Sequence, residues 1–146
     1  MKKSIVVLIV IGLFAGLAYA SEKDDAKALV EKAVAYAASQ GREKAVAEIS
    51  TPKGTFDKGE MYVFAYDLQG VVVAHPKNPK LIGKNLIDVP DNDGKMFRKE
   101  IVSMAKSKGS GWVDYVYLNP QTKKPEPKTT YIQKAGDIVV CCGAYK

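Results

Sequence analysis

Five short segments rich in β-branched and aromatic residues, each bounded by turn-forming residues, occupy the chain from Met61 to Tyr145. They leave few folds open. Met61–Tyr66 (MYVFAY) and Val71–His75 (VVVAH) flank Asp67-Leu68-Gln69-Gly70. Asp caps such a turn locally and Gly accepts a positive φ, so the two runs predict a β-hairpin. Trp112–Leu118 (WVDYVYL), Lys128–Lys134 (KTTYIQK) and Ile138–Tyr145 (IVVCCGAY) follow. Asn119–Pro127 reads as a proline-broken hairpin loop and Gly136-Asp137 as a turn. Strands joined this closely pair antiparallel, because a parallel pair needs a crossover of a dozen or more residues.

Upstream, residues 22–49 predict a helix capped by Ser21 or Asp24, with Ala26, Leu29, Val30, Ala33, Val34 and Ala37 forming an apolar stripe. Ser39-Gln40-Gly41 interrupts it. Between the hairpin and the last three strands lie a long polar connection, residues 77–94, and a short helix, Lys95–Lys106. Leu81, Ile82, Leu86, Ile87 and Val89 are the apolar anchors of the connection. A connection this long in a small domain is often a binding loop. The sum is an α+β fold: an antiparallel five-stranded sheet with a long N-terminal helix packed on one face.

The first twenty residues read as an address. Lys2 and Lys3 precede an apolar run from Ile5 to Leu17, then Ala18-Tyr19-Ala20. That is the pattern of a secretory signal peptide, cleaved after Ala20, and the run is short for a membrane span. The other reading is an uncleaved anchor. Cleavage removes Lys2 and Lys3, so the net charge of +6 becomes +4. The expected domain is residues 21–146, periplasmic or secreted, with no stable membrane span after cleavage. Its lysines are scattered, which argues for solubility and against nucleic-acid binding. With 2 Cys and 1 His there is no CxxC, no haem attachment motif and no zinc set. Asp91-Asn92-Asp93-Gly94 lacks the later Glu of a calcium loop, and Gly83-Lys84 lacks the flanking residues of a phosphate loop. No metal and no cofactor are expected, and no nucleophile–base pair suggests an enzyme.

Five segments in order resemble the single Cache domain, type 2, a PAS-like extracytoplasmic sensor domain. They are residues 61–76 (MYVFAYDLQGVVVAHP), 81–97 (LIGKNLIDVPDNDGKMF), 109–118 (GSGWVDYVYL), 119–131 (NPQTKKPEPKTTY) and 136–145 (GDIVVCCGAY). The last carries the family's usual Gly-x-Tyr ending. Cys141-Cys142 departs from it, standing where small or aliphatic residues are usual. The chain ends at Lys146 with no following transmembrane helix and signalling module, which suggests a free-standing form lacking its own output. The resemblance implies a ligand-binding module for a small organic acid of the acetate, propionate, lactate or pyruvate class. The alternative is a protein-interaction module that docks on a membrane receptor or sensor kinase. The module is expected to be a monomer or a helix-mediated homodimer.

Within that frame, His75 either donates a hydrogen bond to a ligand carboxylate or holds the loop by a backbone bond. Tyr66, Trp112, Tyr115, Tyr117 and Tyr131 either wall a pocket or pack the core, with Tyr115 and Tyr131 the preferred pair. Alternation puts Tyr115 and Tyr117 on one face and Trp112 on the other. Arg98 and Lys128 are either the charge-assisted partners that a buried carboxylate needs or solvated surface charges. Strict alternation sends Lys128 and Tyr131 to opposite faces. Cys141 and Cys142 read as two buried thiols, with a strained vicinal disulfide as the alternative.

Overall fold

The computed structural model describes residues 12–146. Residues 1–11, the basic and early apolar part of the expected signal peptide, lie outside the described residues. α1 spans Gly12–Gln40 and α2 spans Arg42–Ile49. Gly41, at φ 90°, breaks the helix where the sequence suggested. Ser21 and Asp24 do not cap it. The helix runs through them, so their N–H groups meet carbonyls four residues upstream instead of needing a side chain. No helix of the described residues is long and apolar enough to cross a membrane.

The sheet has six strands rather than five. They are β1 (Asp57–Lys58), β2 (Met61–Asp67), β3 (Val72–Ala74), β4 (Ser110–Leu118), β5 (Pro125–Ala135) and β6 (Ile138–Tyr145). The added strand, β1, is two residues long and pairs with the start of β2, while β3 pairs with the end of β2. The order β2-β6-β5-β4 makes the last three strands a meander, antiparallel throughout. β5 begins at Pro125, earlier than its composition suggests. The two prolines are tolerated because β6 ends at Tyr145, opposite Lys128, so no ladder bond on that side asks for their missing N–H. Asn119 closes the β4–β5 turn, accepting from the Gln121 N–H at 2.8 Å and donating to Glu60 at 3.0 Å.

α1 covers one face of the sheet. Ala26, Val30 and Ala33 are fully buried against Val63, Ala65, Ile138, Val140 and Cys142. The small alanines let the helix lie close. α3 (Phe97–Lys108, two residues later than expected at its start) covers the other face, with Phe97, Ile101 and Ala105 against Val113, Tyr115, Ile132 and Cys141. The connection before α3 is pinned at both ends. It zips onto the outer edge of β3 through Gly83 N–H to Val72 O (2.8 Å) and Val72 N–H to Lys84 O (3.0 Å). The Asp91 carboxylate then accepts from the Val116 N–H on β4 at 2.9 Å and from Lys95 and Asp93 N–H. Asp91 thus ties a turn. Burial alone would raise its pKa, but these three bonds hold it low. Leu81 and Leu86 reach the core; Ile82 and Val89, expected as anchors, are exposed.

Candidate functional site

The face under α3 and the connection gathers most of the polar chemistry. Alternation along β2 turns Tyr62, Phe64 and Tyr66 to this face, and alternation along β4 adds Tyr115 and Tyr117. β5 contributes Lys128, which lies directly opposite Tyr115 on one side and Tyr145 on the other. No register shift interrupts either ladder. Tyr131 therefore faces α1, as alternation requires, and so does its cross-strand partner Trp112. Lys27 lies 5.6 Å from the Tyr131 ring centroid and Lys23 lies 4.6 Å from that of Trp112. Of the eight residues read as site candidates, these two are separated by the sheet from the other six.

Lys128 is not a surface charge. It is 1% exposed. Its ammonium sits 4.4 Å from the centroid of the Tyr62 ring, 5.0 Å from those of Phe64 and Tyr145, and 5.5 Å from that of Tyr117. Its one hydrogen bond goes to the Tyr62 hydroxyl at 3.2 Å. Among the described residues no carboxylate pairs with it. Desolvation lowers its pKa from 10.5 to about 8, against smaller opposing effects of the two cysteines. The aromatic faces offset part of that cost, since a desolvated cation–π contact is worth about 2 kcal/mol.

Arg98, at the start of α3, is also buried and carries no carboxylate partner among the described residues. Its Nε donates to the Tyr66 hydroxyl at 3.3 Å and its Nη1 to the Val89 carbonyl at 3.2 Å. Val89 thus contributes its carbonyl, while its side chain is exposed.

His75 packs against Tyr62 and Phe64, two rings of the Lys128 cage. Its Nδ1 accepts from the backbone N–H of Lys77 (3.1 Å) and of Asn78 (3.0 Å), so the loop-holding role is realised. That tautomer leaves the hydrogen on Nε2. The ring stacks on Phe64 at 5.8 Å and tilts over Tyr62 at 5.3 Å. Desolvation first, then the charges of Lys128, Arg98 and Lys77, push its pKa down to about 3. The histidine is neutral at every ordinary pH. Lys77 closes the rim through an ion pair with buried Asp57 at 2.6 Å.

A half-open pocket of about 160 Å³ adjoins this cluster, lined by Tyr62, His75, Lys77, Asn78, Tyr117, Leu118, Pro120 and Lys123. A cavity near 150 Å³ accepts a benzene-sized guest, so the scale suits a molecule of a few heavy atoms. Larger clefts lie elsewhere, such as one of about 380 Å³ beside Val34, Ala38 and Ala135. His75 lines the small pocket and none of these larger clefts, while Lys128 and Arg98 lie behind the pocket wall, Lys128 against the Tyr62 and Tyr117 rings that line it.

Comparison with known proteins fits this geometry. The family model for the Cache domain matches residues 20–145. The chain belongs to the Cache domain family. It is 34% identical over 86 residues to the methyl-accepting chemotaxis protein McpP of Pseudomonas putida, a match covering 58% of this chain and 16% of that protein. The periplasmic sensor domain of a chemotaxis protein superposes with a TM-score of 0.70 at 28% identity, covering 92% of this chain and 99% of that one. A Cache chemosensory domain solved to show carboxylic acid recognition superposes with a TM-score of 0.72, also at 28% identity, covering 89% and 97%. The chain is thus a sensor-type ligand-binding domain.

The same face of this Cache domain carries residues that sequence reasoning passed over. Tyr62 and Phe64 share the face of Tyr66, two and four positions away on β2, so counting alternate residues would have found them. Tyr145 required the β5–β6 register. Gly143 needs the structure itself: a Cβ there would stand 2.5 Å from Lys128 Cε and crowd Thr130 Oγ1. The glycine of the Gly-x-Tyr ending makes room for the lysine stem. Gly143→Ala is expected to cost about 1–3 kcal/mol by overpacking and to displace the Lys128 side chain. Chemical denaturation and calorimetry would check this; an unchanged denaturation midpoint would contradict it. Cys141 and Cys142 are free and fully buried on opposite faces, so no vicinal disulfide forms. Burial, first, pushes the Cys142 thiol up to about 12.

Proposed function

We propose that this domain binds a small monocarboxylate of the acetate, propionate, lactate or pyruvate class in the pocket beside Lys128. The observation that supports it is the buried, unpaired Lys128 ammonium. Burying a charge is costly unless it is paired, and removing one partner of a buried pair is strongly destabilising. A cation held in a cage with one neutral hydrogen bond is a site that an anion completes. His75 Nε2 adds a donor at the pocket, Tyr62 and Tyr117 supply walls, Arg98 adds a second positive charge behind them, and the pocket volume limits the chain length. The match to a domain solved with carboxylic acid recognition in view supports the same class. The domain acts outside the cytoplasm, reached through the Met1–Ala20 signal peptide.

Binding would stabilise the bound form by its differential affinity. Thermal unfolding against a panel of carboxylates, amino acids, purines and polyamines tests this. A ligand at 100 times its Kd adds about 2.7 kcal/mol, a shift of several degrees in Tm for a domain of this size. The shift is expected with short monocarboxylates and is expected to shrink in Arg98→Ala. A shift with amino acids or polyamines alone, or with none of the panel, would refute the reading.

A further inference from the structure

The Lys128 ammonium has three protons to donate, and one acceptor meets it: the Tyr62 hydroxyl at 3.2 Å. Tyr62 is 1% exposed, its ring faces the ammonium, and the same residue lines the pocket with His75 and Tyr117. Other polar groups around the cage are engaged elsewhere. The Tyr145 hydroxyl donates to the Leu118 carbonyl at 2.9 Å and the Tyr115 hydroxyl is 2.9 Å from Thr130 Oγ1. Phe64 offers no polar atom.

We propose that Tyr62 is a built-in competitor of the ligand, its hydroxyl holding on Lys128 Nζ the place that a carboxylate oxygen takes on binding. This rests on the carboxylate reading given above. Two features make the phenol a stand-in rather than a lasting partner. It is neutral: burial, then the neighbouring tyrosines, raise its pKa well above 10, so it is never a counter-ion. A carboxylate brings a full negative charge to the ammonium in a low-dielectric site, an attraction the neutral phenol lacks, so an entering carboxylate wins the exchange. The affinity is nonetheless reduced by the bond that must first be broken. Tyr62 thereby sets a threshold concentration for the sensor without touching the empty part of the pocket more than its ring already does.

Tyr62→Phe removes the competitor and keeps the ring. Calorimetry with propionate is expected to show binding roughly tenfold tighter than in the wild type, the scale of a lost hydrogen bond to a charged group. The variant's melting curve establishes that it is folded. Equal or weaker binding by a folded variant, with the wild type binding normally, would overturn the proposal and leave the carboxylate reading standing. Binding by the variant alone would support the proposal in its strong form. Binding by neither protein would defeat the carboxylate reading and this one with it. The wild type offers a test that needs no variant. In a structure with propionate bound, the Tyr62 hydroxyl should have left Nζ; a distance still within about 3.5 Å would overturn the proposal.

Discussion

Lys128→Met is expected to abolish carboxylate binding and at the same time to make the domain more stable at pH 7. Methionine has nearly the same length and needs no partner, and its sulfur suits an aromatic cage. Loss of the ammonium removes the group that the carboxylate pairs with, and such a truncation costs about 2–5 kcal/mol, at least a thirtyfold weakening. The stability gain comes from the same charge. Folding depresses the Lys128 pKa from 10.5 to about 8. The folded state therefore carries the ammonium at a cost of roughly 3 kcal/mol. Between about pH 8 and 10.5 the unfolded chain binds the proton and the folded chain releases it, so wild-type stability rises with pH across that window. The methionine variant should lack that rise. Urea denaturation of both proteins at pH 7 and 9.5 measures it. A variant less stable than the wild type at pH 7 would show that Lys128 contributes to the fold.

Acid should unfold the domain from an unusually mild pH, and His75 is the cause. Its folded pKa is depressed from 6.5 to about 3 by burial and by three neighbouring cations. Below pH 6.5 the unfolded chain gains a proton on this histidine and the folded chain does not. Stability therefore falls as pH drops, by about 4–5 kcal/mol in total by pH 3. Asp57 adds to the loss only lower, below its unfolded value of 3.8, because burial raises its pKa but the Lys77 bond and the backbone N–H groups of Lys53 and Gly59 bring it down. His75→Asn places an amide oxygen where Nδ1 accepts from Lys77 and Asn78, without a titrating group. Its stability between pH 6.5 and 4 should be nearly flat. A wild-type profile that is equally flat there would mean that the histidine is protonated in the folded domain.

The hairpin, the meander, the break at Gly41 and the covered sheet were legible because period-2 patterns and turn residues are local signals. β1 was not, since two residues carry no pattern, and its pairing is made by the chain that follows α2. The start of β5 was hidden by Pro125 and Pro127, whose ordinary meaning is a loop and which are allowed here only because β6 stops at Tyr145. Tyr66, Tyr115, Tyr117 and Lys128 share one face by strand alternation, which also puts Tyr131 and Trp112 on the other; Arg98 and His75 join the first face only through α3 and the chain after β3. What the sequence could not show is depth. Lys128 and Arg98 look like any surface cation until the strands on either side and α3 bury them. Gly143 looks like any strand glycine until the lysine stem is seen beside it.

A calorimetric titration with propionate from pH 7 to 9.5 tests the central claim most directly. Carboxylates are ionised throughout, so the ligand does not change. If the carboxylate sits on the Lys128 ammonium, affinity should hold below about pH 8 and then fall roughly tenfold per pH unit as the empty site loses its proton, with proton uptake on binding above pH 8. Binding that is equally tight at pH 7 and 9.5, with no proton exchanged, would place the carboxylate away from Lys128 and contradict the account.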